Sequence, residues 1–212
     1  LSRSLQMFFP GMLFKTVELK TSGESLEERL NKLVEEYNYG TSLQEQEIRY
    51  ESGIRYIPSI IPYKTEVQDS LPIKEGGVYL ITGGMGGLGR IFAEYLAKKY
   101  KARIVVTGRS ELDDCKKKIM NDLQSFGAEV LYVKADVSRL TDMEECMSIV
   151  LNKFGFLNGC IHAAGILTDK KILDKEMDEF VEGLKAKVHG TVVLDHVTRN
   201  QNLDFFVMFS SI

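Results

Sequence analysis

The chain is 212 residues long, with 27 Lys and Arg against 30 Asp and Glu, a formal net charge of −3 and 44% apolar residues. That length and apolar content suit one large domain, or one domain with an appendage, built on a true core, and the charge balance excludes the basic field that nucleic acid or an anionic membrane surface would require. No segment reaches the length of a membrane span and no signal peptide is visible, while three scattered cysteines, Cys115, Cys146 and Cys160, lack metal-ligand spacing and read as reduced thiols of a cytoplasmic protein without a metal site.

Met12 to Leu19 (MLFKTVEL) reads as a strand. SLEERLNKLVEEY follows as a helix, with Leu26, Leu30, Leu33 and Val34 on one stripe. EIRYESGIRYI gives two short strands about a turn containing Gly53. The next stretch, PSIIPYKTEVQDSLPIKEGG, holds three prolines and few large apolar residues after Tyr63, and reads as a linker or surface crossing.

From Gly77 the pattern becomes regular. VYLIT (78–82) is an apolar run fit for a buried parallel strand. After a glycine cluster, a helix carries Leu88, Ile91, Phe92, Tyr95 and Leu96 on one face. RIVVTG is a second strand; Leu112, Cys115, Ile119 and Leu123 mark a second helix that Gly127 ends. EVLYVKAD is a third strand, and Thr141 with Glu144 three residues on predicts a capping box for a third helix, whose Met143, Met147 and Val150 form a core stripe. LNGCIHAAG is a fourth strand running into a small-residue loop, and Cys160 within it is read as packing. A helical stretch covers 174–199, with a break expected near Gly183, and LDFFVMFSS is a fifth strand. Alternating strand and helix predicts an α/β fold: a Rossmann-like, doubly wound parallel sheet with helices on both faces and right-handed crossovers.

The glycine cluster ITGGMGGLG lies between the first strand and first helix of that pattern. Gly84, Gly86 and Gly89 match G-x-G-x-x-G, and Thr82, Gly83, Gly87, Leu88 and Gly89 also fit T-G-x-x-x-G-x-G. Glycine is needed because the turn requires backbone angles that side chains forbid. The chain must also come close enough for helix N-terminal N–H groups to hold a diphosphate. A glycine-rich turn can be only a turn, but strand before and helix after is the context that nucleotide binding demands.

The second strand ends in TGRS. Sites that read a free ribose 2′-hydroxyl place an acid there, about twenty residues on. This chain has Arg109, and the nearest acid is Glu111. A guanidinium suits a 2′-phosphate through paired charge-assisted bonds, so NADPH is expected over NADH. Without the glycine loop, Arg109 would be read as a solvated loop residue. The third strand ends at Asp136 and Val137. The carboxylate can accept a bond from an adenine amino group, or it can equally be an ordinary strand-end acid near a helix cap.

TGGMGGLG (82–89), VVTGRS (105–110), ADVS (135–138), HAAGILTD (162–169), LKAKVHGTVVL (184–194) and DFFVMFSSI (204–212) together resemble the short-chain dehydrogenase/reductase superfamily, and more narrowly the ketoreductase domain of modular polyketide synthases. The resemblance implies reduction of a β-ketoacyl thioester, carried on acyl carrier protein by phosphopantetheine, with hydride from NADPH; neighbouring synthase domains are implied as partners. Ser211 matches the serine that binds the substrate carbonyl oxygen, with Ser210 the weaker candidate. Lys187 matches the lysine that lowers the pKa of the catalytic tyrosine and positions it; by itself it would be read as a surface lysine. HAAG fills the place of an asparagine-led motif in simpler members, and Ala163, Ala164 and Gly165 let the backbone approach the cofactor. His162 has no second metal ligand at useful spacing, and His189 and His196 are expected on a helix surface. Leu167-Thr168-Asp169 stands where members of one stereochemical class carry Leu-Asp-Asp; Asp169 is kept, which points to the B-type, D-hydroxy product.

The resemblance divides the chain into residues 1–75, part of a smaller α/β structural subdomain with its linker, and residues 76–212, the NADPH-binding catalytic subdomain. It also implies a tyrosine roughly a dozen residues beyond the serine, and then an asparagine. All nine tyrosines lie at or before residue 132, so the chain is expected to be an incomplete ketoreductase that binds NADPH weakly and turns over poorly, with its fifth strand left partly uncovered. Two other readings compete. One is a non-catalytic Rossmann module that binds nucleotide or stabilises a neighbour. The other is a free-standing reductase of a small ketone, against which the 75 residues before the glycine loop speak.

Overall fold

The computed structural model describes residues 2–20, 23–39, 45–63, 71–166, 170 and 172–210. The chain divides into two units, residues 1–67 and 68–212.

The first unit runs α1 (Ser2–Phe8), β1 (Thr16–Lys20), α2 (Leu26–Asn38), β2 (Glu47–Glu51) and β3 (Ile54–Tyr56). β2 lies centrally, parallel to β1 and antiparallel to β3. Ser52 and Gly53 both have positive φ, the geometry of the tight hairpin turn that matches strand twist. α2 starts on a capping box: Ser25 Oγ accepts from the Glu28 N–H at 3.2 Å, and the Glu28 carboxylate accepts from the Ser25 N–H at 2.7 Å. The apolar stripe of α2 is exposed, from Leu26 to Val34. What α2 buries is an acid, Glu36, only 3% exposed.

Glu36 accepts hydrogen bonds from Lys15 Nζ and Tyr50 Oη, each at 2.8 Å, and from the Arg55 guanidinium, which also reaches Glu45 at 2.9 Å. Arg55 holds the Glu36 carboxyl down to about 2 against the opposing effect of burial, with Lys15 and Tyr50 assisting. A depressed carboxyl contributes stability that is present above its ordinary value and lost as pH falls through the folded one. The protection of β2 amides against exchange, relative to their intrinsic rate at each pH, should therefore fall between pH 4.5 and about 2. Glu36→Gln should flatten that dependence and cost about 2 kcal/mol at neutral pH, since hydrogen bonds to a charged group are lost. An unchanged exchange profile in the variant would refute the role.

The second unit runs β4 (Val78–Thr82), α3 (Gly87–Tyr100), β5 (Arg103–Gly108), α4 (Asp114–Ser125), β6 (Glu129–Lys134), α5 (Leu140–Phe154), β7 (Gly159–His162), α6 (Met177–Leu184), a π-helical segment (Lys185–His189), α7 (Gly190–Thr198) and β8 (Phe205–Met208). The five strands are all parallel, in the order β6-β5-β4-β7-β8. Every residue of β4 is buried because both faces of the sheet are covered. Val78, Leu80 and Val105 face Met143, Met147 and Val150 of α5 and Leu194 of α7. Tyr79, Ile81 and Ile104 face Ala93, Leu96 and Ala97 of α3 and Leu123 of α4.

Three sequence expectations shift. α3 buries Gly89, Ala93, Leu96 and Ala97, and leaves Leu88, Ile91 and Tyr95 exposed. The small residues let the helix lie close to the sheet, so the inward face is turned from the one the large apolar residues mark. α5 begins ahead of the predicted box: Arg139 is its N-cap, Thr141 lies inside the helix, and Asp142 accepts instead from the Asp136 N–H at 3.0 Å. The stretch expected to break near Gly183 is irregular close by: α6 ends at Leu184, and a π segment carries the helix on in place of a break. The fifth strand is an edge, with Val207 and Met208 exposed.

Candidate functional site

The strand order reverses at β4: the chain moves outward through β5 and β6, then returns to place β7 on the other side. In doubly wound sheets that point, at the carboxyl ends of the strands, is where ligands lie. The glycine bend sits there. Gly83 has φ +68°, and a Cβ on it would come within 2.8 Å of the Ala164 backbone, so β4 and the loop after β7 meet at a distance only glycine permits. The Gly86 N–H donates to the Gly83 carbonyl at 2.9 Å and closes the turn. Gly86 is the N-cap of α3 and has no side chain to satisfy the helix, so the first N–H groups, beginning at Gly87 and Leu88, are available to an anion.

Beside the bend lies a cavity of about 160 Å³. It brings together Gly83, Arg109, Asp136, Val137, Ala164 and Gly165 of the sequence-predicted residues. Ser138, Glu182, Lys185 and Ala186 join them without having been singled out from the sequence. Lys185 and Glu182 form an ion pair on the rim. Arg109 follows β5, is exposed, and makes no hydrogen bond or ion pair among the described residues. Burial pushes the Asp136 carboxyl up, but the Ser138 N–H and hydroxyl, with the charges of Arg109 and Arg139, outweigh it and hold the group below its ordinary value. Asp136 Oδ1 takes both Ser138 bonds, at 3.0 and 2.7 Å. A strand-end acid role is thus visible beside the expected adenine role.

Thr82 does not open onto the cavity. Its hydroxyl is buried and bonded at 2.7 Å to His162 Nδ1. Gly84 and Gly89 are buried within the bend, and Gly87 and Leu88 lie exposed at the head of α3. Lys187, in the π segment, is half-buried, and its Nζ donates to the Phe209 carbonyl at 2.7 Å, just past β8. Burial lowers its pKa. Ser210, which follows Phe209, is exposed; Ser211, Leu167, Thr168 and Asp169 lie outside the described residues. His189 and His196 are exposed, as expected. Burial pushes the Cys146 and Cys160 thiols up to about 12, so both are inert packing groups. No cluster of three metal-ligating side chains occurs among the described residues, and none of their helices is long and apolar enough to cross a membrane.

A parallel sheet in this strand order, with a glycine bend at its reversal point, defines a Rossmann-type domain of the short-chain dehydrogenase/reductase kind. The model of the ketoreductase (KR) domain matches residues 77–212. Over 168 residues, 79% of the chain, the sequence is 44% identical to the polyketide synthase PksM of Bacillus subtilis (strain 168) and covers 4% of that protein. A ketoreductase domain from the bacillaene assembly line, solved by crystallography, aligns over 100% of the chain and 49% of its own, at TM-score 0.83 and 32% identity. An alcohol dehydrogenase from the archaeon Thermococcus sibiricus, complexed with 5-hydroxy-NADP, aligns over 59% of the chain and 52% of its own, at TM-score 0.53 and 28% identity. The chain belongs to the ketoreductase domain family of polyketide synthases. It spans about half the length of that solved ketoreductase and a few per cent of the curated synthase.

Proposed function

We propose that this chain contributes the NADPH-binding and carbonyl-facing elements of a ketoreductase that converts a β-ketoacyl thioester on acyl carrier protein to the β-hydroxyacyl form. The observation that carries the reading is the bend at Gly83, a cradle that a Cβ would fill, beside a cavity with Arg109 at the end of β5. Support for the cofactor class also comes from the dehydrogenase relative solved with an NADP derivative.

The backbone N–H groups at the head of α3 would hold the diphosphate, and Arg109 would pair with the 2′-phosphate. Bound NADPH would supply the hydride. Ser211 would donate a hydrogen bond to the carbonyl oxygen as negative charge gathers there, and Asp169 would line the substrate side, with a D-hydroxy product expected. Lys187, its ammonium anchored on the Phe209 carbonyl, would orient and acidify the proton donor. That donor is a tyrosine in the family, and the tyrosines of this chain end at Tyr132. Residues 1–75 would be the structural subdomain and linker, residues 76–212 the catalytic one, and the setting the cytoplasm, beside other synthase domains.

Titration of the 212-residue chain with NADPH, followed by nucleotide fluorescence, tests the reading. Saturable binding with preference over NADH is expected. No binding, or an NADH preference, would overturn it.

A further inference from the structure

Three hydrogen bonds close a ring around the start of the serine segment. His162 Nε2 meets the Ala186 carbonyl at 2.9 Å. The next residue, Lys187, donates from Nζ to the Phe209 carbonyl at 2.7 Å. The Phe209 N–H donates to the His162 carbonyl at 3.1 Å. The chemistry fixes the protons. A carbonyl only accepts, so His162 Nε2 carries the hydrogen, and Nδ1 is the acceptor for the Thr82 hydroxyl at 2.7 Å. Both ring nitrogens are therefore used, and burial lowers the pKa of the ring, which favours the neutral form with the Thr82 hydroxyl donating to Nδ1. His162 is 1% exposed, and Gly190 allows α7 to pass so near that an added Cβ would lie 3.4 Å from His162 Cε1.

The π segment is where this matters. A π turn widens the helix and is seldom kept without a reason at a functional site. Here the segment Lys185–His189 is tied to the sheet from inside by His162 at the Ala186 carbonyl. The residue after the tie is Lys187. Holding the one sets the direction in which the other leaves the helix.

We propose that His162 is a positioning residue that, through its Nε2–H bond to the Ala186 carbonyl, holds the π segment so that the Lys187 ammonium sits on the carbonyl of Phe209, the residue before Ser210. The proposal rests on Lys187 being the lysine of the reaction described above. Thr82, the first residue of the glycine motif, is then the far anchor of the same device: it fixes the ring so that the other nitrogen faces the helix.

Two substitutions separate positioning from mere packing. Gln reproduces a donor at the place of Nε2, while Asn reaches only as far as Nδ1. In the full 212-residue chain, acylation of each lysine by acetic anhydride is measured by mass spectrometry, alongside thermal unfolding and NADPH titration. With His162→Asn, Lys187 should acylate about fivefold faster relative to Lys117 and Lys170, as expected for loss of one net hydrogen bond. With His162→Gln, its relative rate should stay within about twofold of the wild type, the scatter of a retained bond. NADPH affinity is read alongside as a check on the bend, since the ring also bonds Thr82 at the start of the glycine motif. Equal Lys187 reactivity in all three proteins would overturn the proposal, as would a fast-reacting Lys187 in a folded His162→Gln protein. If His162→Asn fails to fold, the Gln protein and the nitrogen-15 spectrum of the wild type decide: a proton on Nδ1 rather than Nε2 would overturn it. If the wild type binds no NADPH while Lys187 responds as described, the functional reading fails and the positioning device stands.

Discussion

Gly89→Val should abolish measurable NADPH binding, with affinity reduced more than about a hundredfold. A Cβ at Gly89 would drive into the Gly83 carbonyl oxygen and the Gly84 Cα. These are backbone atoms of the bend, and the Gly83 carbonyl is already committed to the Gly86 N–H. The helix cannot move away either, because Ala93, Leu96 and Ala97 hold it against the sheet. The bend must open, and the N–H groups at the head of α3 lose their aim. Fluorescence titration measures the loss, and far-UV circular dichroism establishes that the fold survives. Gly11→Ala, outside the site, is the control: its added Cβ meets nothing within 4 Å, and binding should change little. Undiminished binding by the Gly89→Val protein would show that the diphosphate is not held here.

Arg109→Ala should reduce NADPH affinity by about ten- to a hundredfold and leave NADH affinity unchanged, because a hydrogen bond to a charged group contributes roughly 1.5–3 kcal/mol. The guanidinium is exposed at the cavity mouth, so the wild-type preference should itself weaken as salt rises. The paired comparison of the two nucleotides is what makes the result specific. A damaged fold would lower both affinities, whereas loss of a 2′-phosphate partner lowers one. Unchanged NADPH affinity would remove Arg109 from the site.

Much of this site is readable from the residues alone, and the reasons differ by residue. The glycine bend announces itself because steric demand restricts its composition. The sheet is legible because β4 and β5 are apolar on both faces, which only a doubly covered strand tolerates. The inward face of α3 is not: close packing selects Ala93 and Ala97, and hydrophobic periodicity weights the larger Leu88, Ile91 and Tyr95, which are exposed. Thr141 and Glu144 have box spacing, but α5 starts at Leu140 and its first turn uses Asp142. Glu36 leaves no local signal, since its partners Lys15, Tyr50 and Arg55 come from separate segments of the chain. His162 is recognisable as part of a motif, yet its two bonds join residues 80 and 24 positions away, a pairing that spacing along the chain does not encode.

The π segment also makes the length of its neighbourhood rigid in a way that ordinary loops are not. A π turn amounts to one extra residue threaded into an α-helix. Excising a single residue between 185 and 189 would restore regular winding and rotate everything downstream by about 100°. Gly190, Leu194 and Thr198, the buried face of α7, would swing sideways out of the interior together. Variants of this chain that differ in length are therefore expected to gain or lose residues elsewhere, and a deletion here should cost the whole helix its seat rather than one contact.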